Sequence, residues 1–165
     1  MRELTPSQKG AAAEAAVTAA AIALGLVVLR PLCEGGRYDL VIDLEPELLR
    51  VQCKWARHLG SVLSVHLNTS RLTPGGYVRT VYTAAEVDAI AAYSAELGRC
   101  YLIPIEEVTG SRTIHLRLDP TRNNQARGVR WADGYRFAEM IRKRSQLQSA
   151  GSASDKLARE AALGL

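Results

Sequence analysis

The sequence predicts a mixed β-sheet with helices on its sides, in the α/β or α+β class. Three features point there. A capped, alanine-rich helix opens the chain, two strands joined by a tight turn follow, and a later series of short apolar strands ends in a second helix. The 165 residues, 47% hydrophobic and 23% charged, suffice for one domain with a real core and not for two. That domain is expected over residues 1–146. A flexible or short-helical tail, rich in Ser, Ala and Gly, is expected over 147–165.

Thr5-Pro6-Ser7-Gln8 fits a capping box, with Thr5 as N-cap, Pro6 in the first turn and Gln8 reaching back. Alanines carry the helix to Leu24, and Gly25 supplies a left-handed stop. Residues 26–32 read as a buried strand and Glu34-Gly35-Gly36 as a turn. Residues 38–44 alternate, Glu45-Pro46 can close a tight turn, and residues 48–56 alternate more cleanly. Leu49, Val51, Cys53 and Trp55 point one way, and Arg50, Gln52 and Lys54 the other, as in a half-buried antiparallel strand. Residues 62–68 form another strand, 73–76 a loop, and 77–82 an extended segment. Residues 83–97 stay open between a helix capped at Thr83-Ala84-Ala85-Glu86 and a strand over 87–93. Residues 100–105 and 114–118 read as strands, and 131–146 as a helix weakened by Gly134.

Composition narrows the function. The most apolar stretch, 11–29, contains Glu14, so neither a membrane span nor a signal peptide is expected. Cys33, Cys53 and Cys100 lack CxxC or Cys/His spacing, which argues against a disulfide framework or zinc site and for a reducing cytoplasm. His58, His66 and His115 are scattered. The net charge is +4 and the pI about 9.1. Arg112, Arg117, Arg122, Arg127, Arg130 and Arg136 fall close together, followed by Arg142-Lys143-Arg144. Alone, such a run is a solvated surface; beside other clues it points to nucleic acid.

The hairpin carries the chemistry. If Glu45 and Pro46 form the whole turn, Asp39 lies opposite Gln52, and Lys54 is the diagonal neighbour on the same face. Glu14 of the first helix can pack over that face. Two carboxylates, an amide oxygen and a lysine suit Mg²⁺ and metal-assisted phosphodiester hydrolysis. The same pattern is also that of a strand-entry aspartate beside an ordinary solvent face.

Gly36-Arg37-Tyr38-Asp39-Leu40 followed by Val51-Gln52-Cys53-Lys54 resembles the PD-(D/E)XK nuclease signature. Lys9-Gly10 with Glu14 resembles the first-helix motif of these nucleases and of archaeal Holliday-junction resolvases. Residues 99–105, Leu116-Arg117-Leu118 to Asn123-Asn124-Gln125, and Val129-Arg130-Trp131-Ala132 resemble the branch that holds group I intron-encoded homing endonucleases. The resemblance spans about Ser7 to Phe137. It implies a restriction-endonuclease-like α/β core in which a central mixed sheet is flanked by helices. It implies Asp39 as principal metal ligand, Glu14 completing the site, Gln52 in the second ligand position and the Cys53 carbonyl contributing. Lys54 then assists the nucleophilic water or stabilises the phosphorane. Gln52 stands where Asp or Glu is usual, which removes a negative charge and lowers the expected metal affinity; the intron-encoded branch looks similar in using glutamine.

The resemblance further implies that residues 87–93 are a core strand. It brings DNA contacts to Lys9, Arg117, Arg122, Arg127 and Arg130, with Ser70, Arg71, Tyr77 and Arg79 as further candidates around a Gly-rich loop. The expected protein is a Mg²⁺-dependent DNA endonuclease, with Mn²⁺ as a substitute, acting on double-stranded DNA. A homing-type enzyme making double-strand breaks needs two active sites and hence a homo-oligomer, dimer or tetramer. A junction-specific nuclease and a catalytically dead DNA-binding protein on the same scaffold remain open alternatives.

Overall fold

Helix α1 (Pro6–Ala23) begins at the capping box, and a computed structural model describes it with the rest of residues 3–33, 36–73, 76–120 and 127–147. Thr5 Oγ1 accepts from Gln8 N at 3.3 Å, and Gln8 Oε1 accepts from Thr5 N at 2.9 Å. Two of the helix's four unpaired N–H groups or their neighbours are thereby satisfied reciprocally. Gly25, at φ +79°, turns the chain out of the helix in the left-handed region open to glycine. The face of α1 that meets the sheet is Ala13, Val17 and Ala21, all fully buried. Their i, i+4, i+8 spacing puts small side chains in one row, so the helix can lie close to the strands.

The sheet has seven strands: β1 (Val27–Leu29), β2 (Leu40–Asp43), β3 (Leu48–Leu59), β4 (Val62–His66), β7 (Ala89–Ser94), β8 (Arg99–Pro104) and β9 (Thr113–Arg117). A separate hairpin, β5 (Asn68–Thr73) with β6 (Gly76–Val81), projects between β4 and β7 in the chain. β3 is the hub. It pairs antiparallel with β2 and with β4, and parallel with β7, which makes the sheet mixed. β8 continues antiparallel from β7, and β9 from β4. A 3-10 turn, Ala132–Tyr135, leads to a second helix, α2, over residues 137–147.

Apolar side chains fill both faces. On one, Ala13, Val17 and Ala21 of α1 and Phe137 and Ile141 of α2 pack on Leu40, Leu49, Val51 and Ala91. On the other, Leu63 and Val65 of β4 and Ile114 and Leu116 of β9 pack with Ile90, Ala92, Tyr101 and Ile103. The β4–β9 extension thus covers the face that the helices leave open.

Several expectations are corrected. β3 has no ordinary solvent face: on its polar side Gln52 is only 8% exposed and Arg50 and Lys54 are half-buried, and it pairs parallel with β7 as well as antiparallel with β2 and β4. The segment at 26–32 pairs over only three residues and is an edge strand: Val28 packs inward while Val27, Leu29 and Leu32 are exposed. The second helix begins at 137 and not 131, since Trp131 bridges to Arg117 and Arg136 to Tyr101 in extended geometry. Thr83–Glu86 makes a turn, and the strand alternative holds for 89–94. Glu34-Gly35, Pro74-Gly75, Arg122 and the expected tail from 148 lie outside the described residues.

Candidate active site

The hairpin register is the one the two-residue turn predicts: Leu40 pairs with Val51 and Val41 with Arg50, so Asp39 falls opposite Gln52. Leu44 N donates to Glu47 O at 2.8 Å across the turn, and Asp39 N donates to Val51 O at 2.9 Å. β2's pairing with β3 ends here, and β4's begins at Ala56↔Val65. Residues 52–55 therefore have β7 as their ladder partner among the described strands. In this gap the Asp39 carboxylate takes over the role of a missing strand: Asp39 Oδ2 accepts from Cys53 N at 2.8 Å and from the Gln52 amide nitrogen.

A cleft of about 600 Å³ opens at the gap, lined by Asp39, Gln52, Cys53 and Lys54 together with Lys9 and Glu14 of α1. Helix and hairpin thus bring all the expected catalytic residues to one place. Glu14 is ion-paired with Arg30. Burial, and next the Asp39 carboxylate, raise the Glu14 pKa against the opposing pull of Arg30. Lys54 Nζ donates to Tyr82 OH at 2.9 Å and lies 4.9 Å from the centre of the Tyr82 ring. Burial lowers the Lys54 pKa, while Asp39 opposes that shift. The Tyr82 phenol, 4% exposed, is pushed up to about 12 by burial and by Asp39, so it remains a neutral hydroxyl. The guanidinium of Arg37 covers the Tyr82 ring at 4.8 Å and bridges to Glu86 at 2.7 Å. Burial pushes the Cys53 thiol up.

The donor set fits a hard divalent cation that keeps several waters: two carboxylates, an amide oxygen and the Cys53 carbonyl, all oxygen. Among the described residues no trio of His, Cys, Asp or Glu gathers anywhere. Asp39 and Glu14 are the carboxylates that line the cleft, and the neutral oxygens of Gln52 and Cys53, with waters, can complete a set around them. The Gln52 amide presently turns its nitrogen to Asp39, and a half-turn of the amide would present its oxygen.

The sequence model of the PD-(D/E)XK endonucleases matches residues 4–138. The chain belongs to the PD-(D/E)XK endonuclease family. A solved structure of a bacterial homing endonuclease, I-Ssp6803I, is 28% identical, with a TM-score of 0.70, over 92% of this chain and 99% of that one. No curated protein matches. A PD-(D/E)XK endonuclease is a DNA-cutting nuclease, and the family generally uses divalent metals. No described helix is long and apolar enough to cross a membrane.

The expected DNA contacts of this PD-(D/E)XK protein are scattered. Lys9 lines the cleft and is ion-paired with Glu3 at 2.9 Å. Arg117 and Arg130 line a shallow pocket beside β9; Arg117 Nε donates to Asp119 O, and Arg130 to Glu107 O, each at 2.9 Å. Arg127 is exposed. Arg71 and Arg79 sit on the two strands of the β5–β6 hairpin, with Ser70 and Tyr77 beside them. Other arginines of the basic run have acidic partners. Arg144 grips Glu47 of the hairpin turn, Arg136 pairs with Asp133, and Arg142 pairs with Glu139. Sequence reasoning missed Arg30, Arg37 and Tyr82. Tyr82 had a faint signal, a lone aromatic ending an extended segment; Arg30 and Arg37 had none.

Proposed function

We propose that the chain is a Mg²⁺-dependent DNA endonuclease of the homing type that makes double-strand breaks as a homo-oligomer, dimer or tetramer. The observation that carries this reading is the meeting of Asp39, Glu14, Gln52 and Lys54 in one cleft at the gap in the β3 ladder. Mg²⁺, or Mn²⁺ in its place, supplies a Lewis acid for the scissile phosphate and an acidified water. Asp39 is the principal ligand, already oriented by the Cys53 N–H. Glu14 completes the carboxylate pair, and Gln52 Oε1 and the Cys53 carbonyl add neutral oxygens. Lys54, held by the Tyr82 hydroxyl, sets a positive charge where negative charge grows on phosphorus.

The same reading assigns DNA contacts to Lys9, Arg71, Arg79, Arg117, Arg122, Arg127 and Arg130. A double-strand break takes two such clefts, hence at least two chains. Exposed Ile22, Val27 and Leu29 near the free edge of β1 supply apolar surface of the kind an interface buries. Cys33, Cys53 and Cys100 are all free thiols, in keeping with a cytoplasmic setting.

Plasmid cleavage tests the reading. The wild type nicks and then linearises supercoiled DNA with Mg²⁺ or Mn²⁺. Asp39→Ala and Lys54→Ala are each slower by about 100-fold or more. Equal rates in both variants, or cleavage that survives chelation of the metal, refute the assignment. Salt-sensitive DNA binding by the wild type without cleavage at any metal concentration favours the dead-scaffold reading instead.

A further inference from the structure

Arg30 follows β1 directly and reaches back sixteen positions to pair with Glu14. It stands on the wall of a second cavity, about 310 Å³, which adjoins the active-site cleft because Glu14 and Asp39 line both. Among the described residues of that wall Arg30 is the one cation. Its side chain is 61% exposed, whereas that of Glu14 is 26% exposed. The carboxylate is thus held in place and the guanidinium is free to swing.

Formal charges show what the pair does. Arg30 balances Glu14, one charge against one, in direct contact. A divalent cation between the two carboxylates would neutralise Glu14 in the same way, and the Arg30 charge held at Oε2 opposes its entry. A guanidinium fork matches a phosphate as well as a carboxylate.

We propose that Arg30 is a substrate-positioning residue that exchanges partners: it holds Glu14 until a divalent cation takes the carboxylate, then holds a backbone phosphate of the DNA duplex at the adjoining cavity. Metal and DNA then promote each other's binding. The cation releases Arg30 for the phosphate, and the phosphate keeps Arg30 from competing for Glu14; by linkage the two effects are equal. This inference rests on the cation-site reading of Glu14 and Asp39.

Two titrations test it. Duplex-free protein is titrated with Mn²⁺ by calorimetry, and a labelled random-sequence duplex is titrated by fluorescence anisotropy with and without Ca²⁺. Arg30→Ala should bind Mn²⁺ about 5- to 20-fold more tightly than wild type, and the Ca²⁺-induced gain in duplex affinity should shrink to the part that the cation's own contact with the phosphate supplies. Arg30→Gln keeps most of the side-chain stem and should behave the same way, which covers a failure of the alanine variant to fold. Unchanged or weaker Mn²⁺ binding in a folded Arg30 variant overturns the exchange. Asp39→Ala separates the two ideas. If it loses Mn²⁺ binding while the Arg30 variants match wild type, only the exchange falls. If it binds Mn²⁺ like wild type, the cation site falls and the exchange with it.

Discussion

Gln52 and Tyr82 bear on the chemistry in opposite ways. Gln52 places a neutral amide beside the Asp39 carboxylate, so a glutamate there would add one negative charge for the cation to meet. Gln52→Glu should tighten Mn²⁺ binding on the order of tenfold, read by calorimetry without DNA. Lost or unchanged affinity in the folded variant would remove position 52 from the ligand set. Tyr82 acts through Lys54. Tyr82→Phe keeps the ring that Lys54 and Arg37 sandwich but deletes the hydroxyl that accepts from Lys54. A fall in kcat of about tenfold with little change in KM for DNA is expected, since the lysine loses its orientation and the DNA contacts stay. A change in KM alone would make Tyr82 a binding residue.

Elements are held in place by contacts that never touch substrate. β7 is locked to β3 by Asp88, whose carboxylate accepts from Arg50 N at 2.7 Å, Nε at 3.0 Å and Nη2 at 2.7 Å. Burial alone would raise the Asp88 pKa, but the Arg50 bonds outweigh it and hold the carboxyl below its ordinary 3.8. A depressed acid stabilises the fold fully above 3.8 and loses that contribution as pH falls through the lower folded value. Asp88→Asn should therefore cost about 1–2 kcal/mol at neutral pH in urea denaturation. Its deficit against wild type should shrink as pH drops below 3.8. At α1 the capping box is solvent-exposed, and Thr5→Ala should cost about 1 kcal/mol in the same measurement.

For the whole molecule, charge and symmetry govern behaviour. A net charge of +4 is modest, and Arg144 is committed to a half-buried ion pair with Glu47 while Arg136 and Arg142 form exposed pairs one helical turn away. DNA affinity then comes from a few phosphate contacts, each contributing about −0.9 to the slope of log K against log salt. Arg117→Ala should reduce that slope by about one if Arg117 reaches a phosphate. Sedimentation velocity should give two or four times the chain mass, and Leu29→Asp on the exposed β1 edge should lower it. A wild-type monomer would leave double-strand cleavage to successive nicks.

The pairing of Asp39 with Gln52 was legible because it is local. A two-residue turn at Glu45-Pro46 and clean alternation leave one register, and the capping box and Gly25 bound α1 in the same way. The family resemblance extended this to the residues expected to meet at the metal. The burial of β3's polar side was not legible, because its partners come from far along the chain, as Asp88 does for Arg50. Nor were the partners of Glu14 and Lys54: Arg30 and Tyr82 lie 16 and 28 positions away, and one sequence carries no signal for such pairings. By itself the sequence determined the first helix, most of the strands, the hairpin register and the class of chemistry, all set by near neighbours and short motifs. Only the tertiary structure decided how deeply the site is buried, which cations balance its carboxylates and which arginines are spent on the fold. Those depend on where distant segments of the chain come to rest.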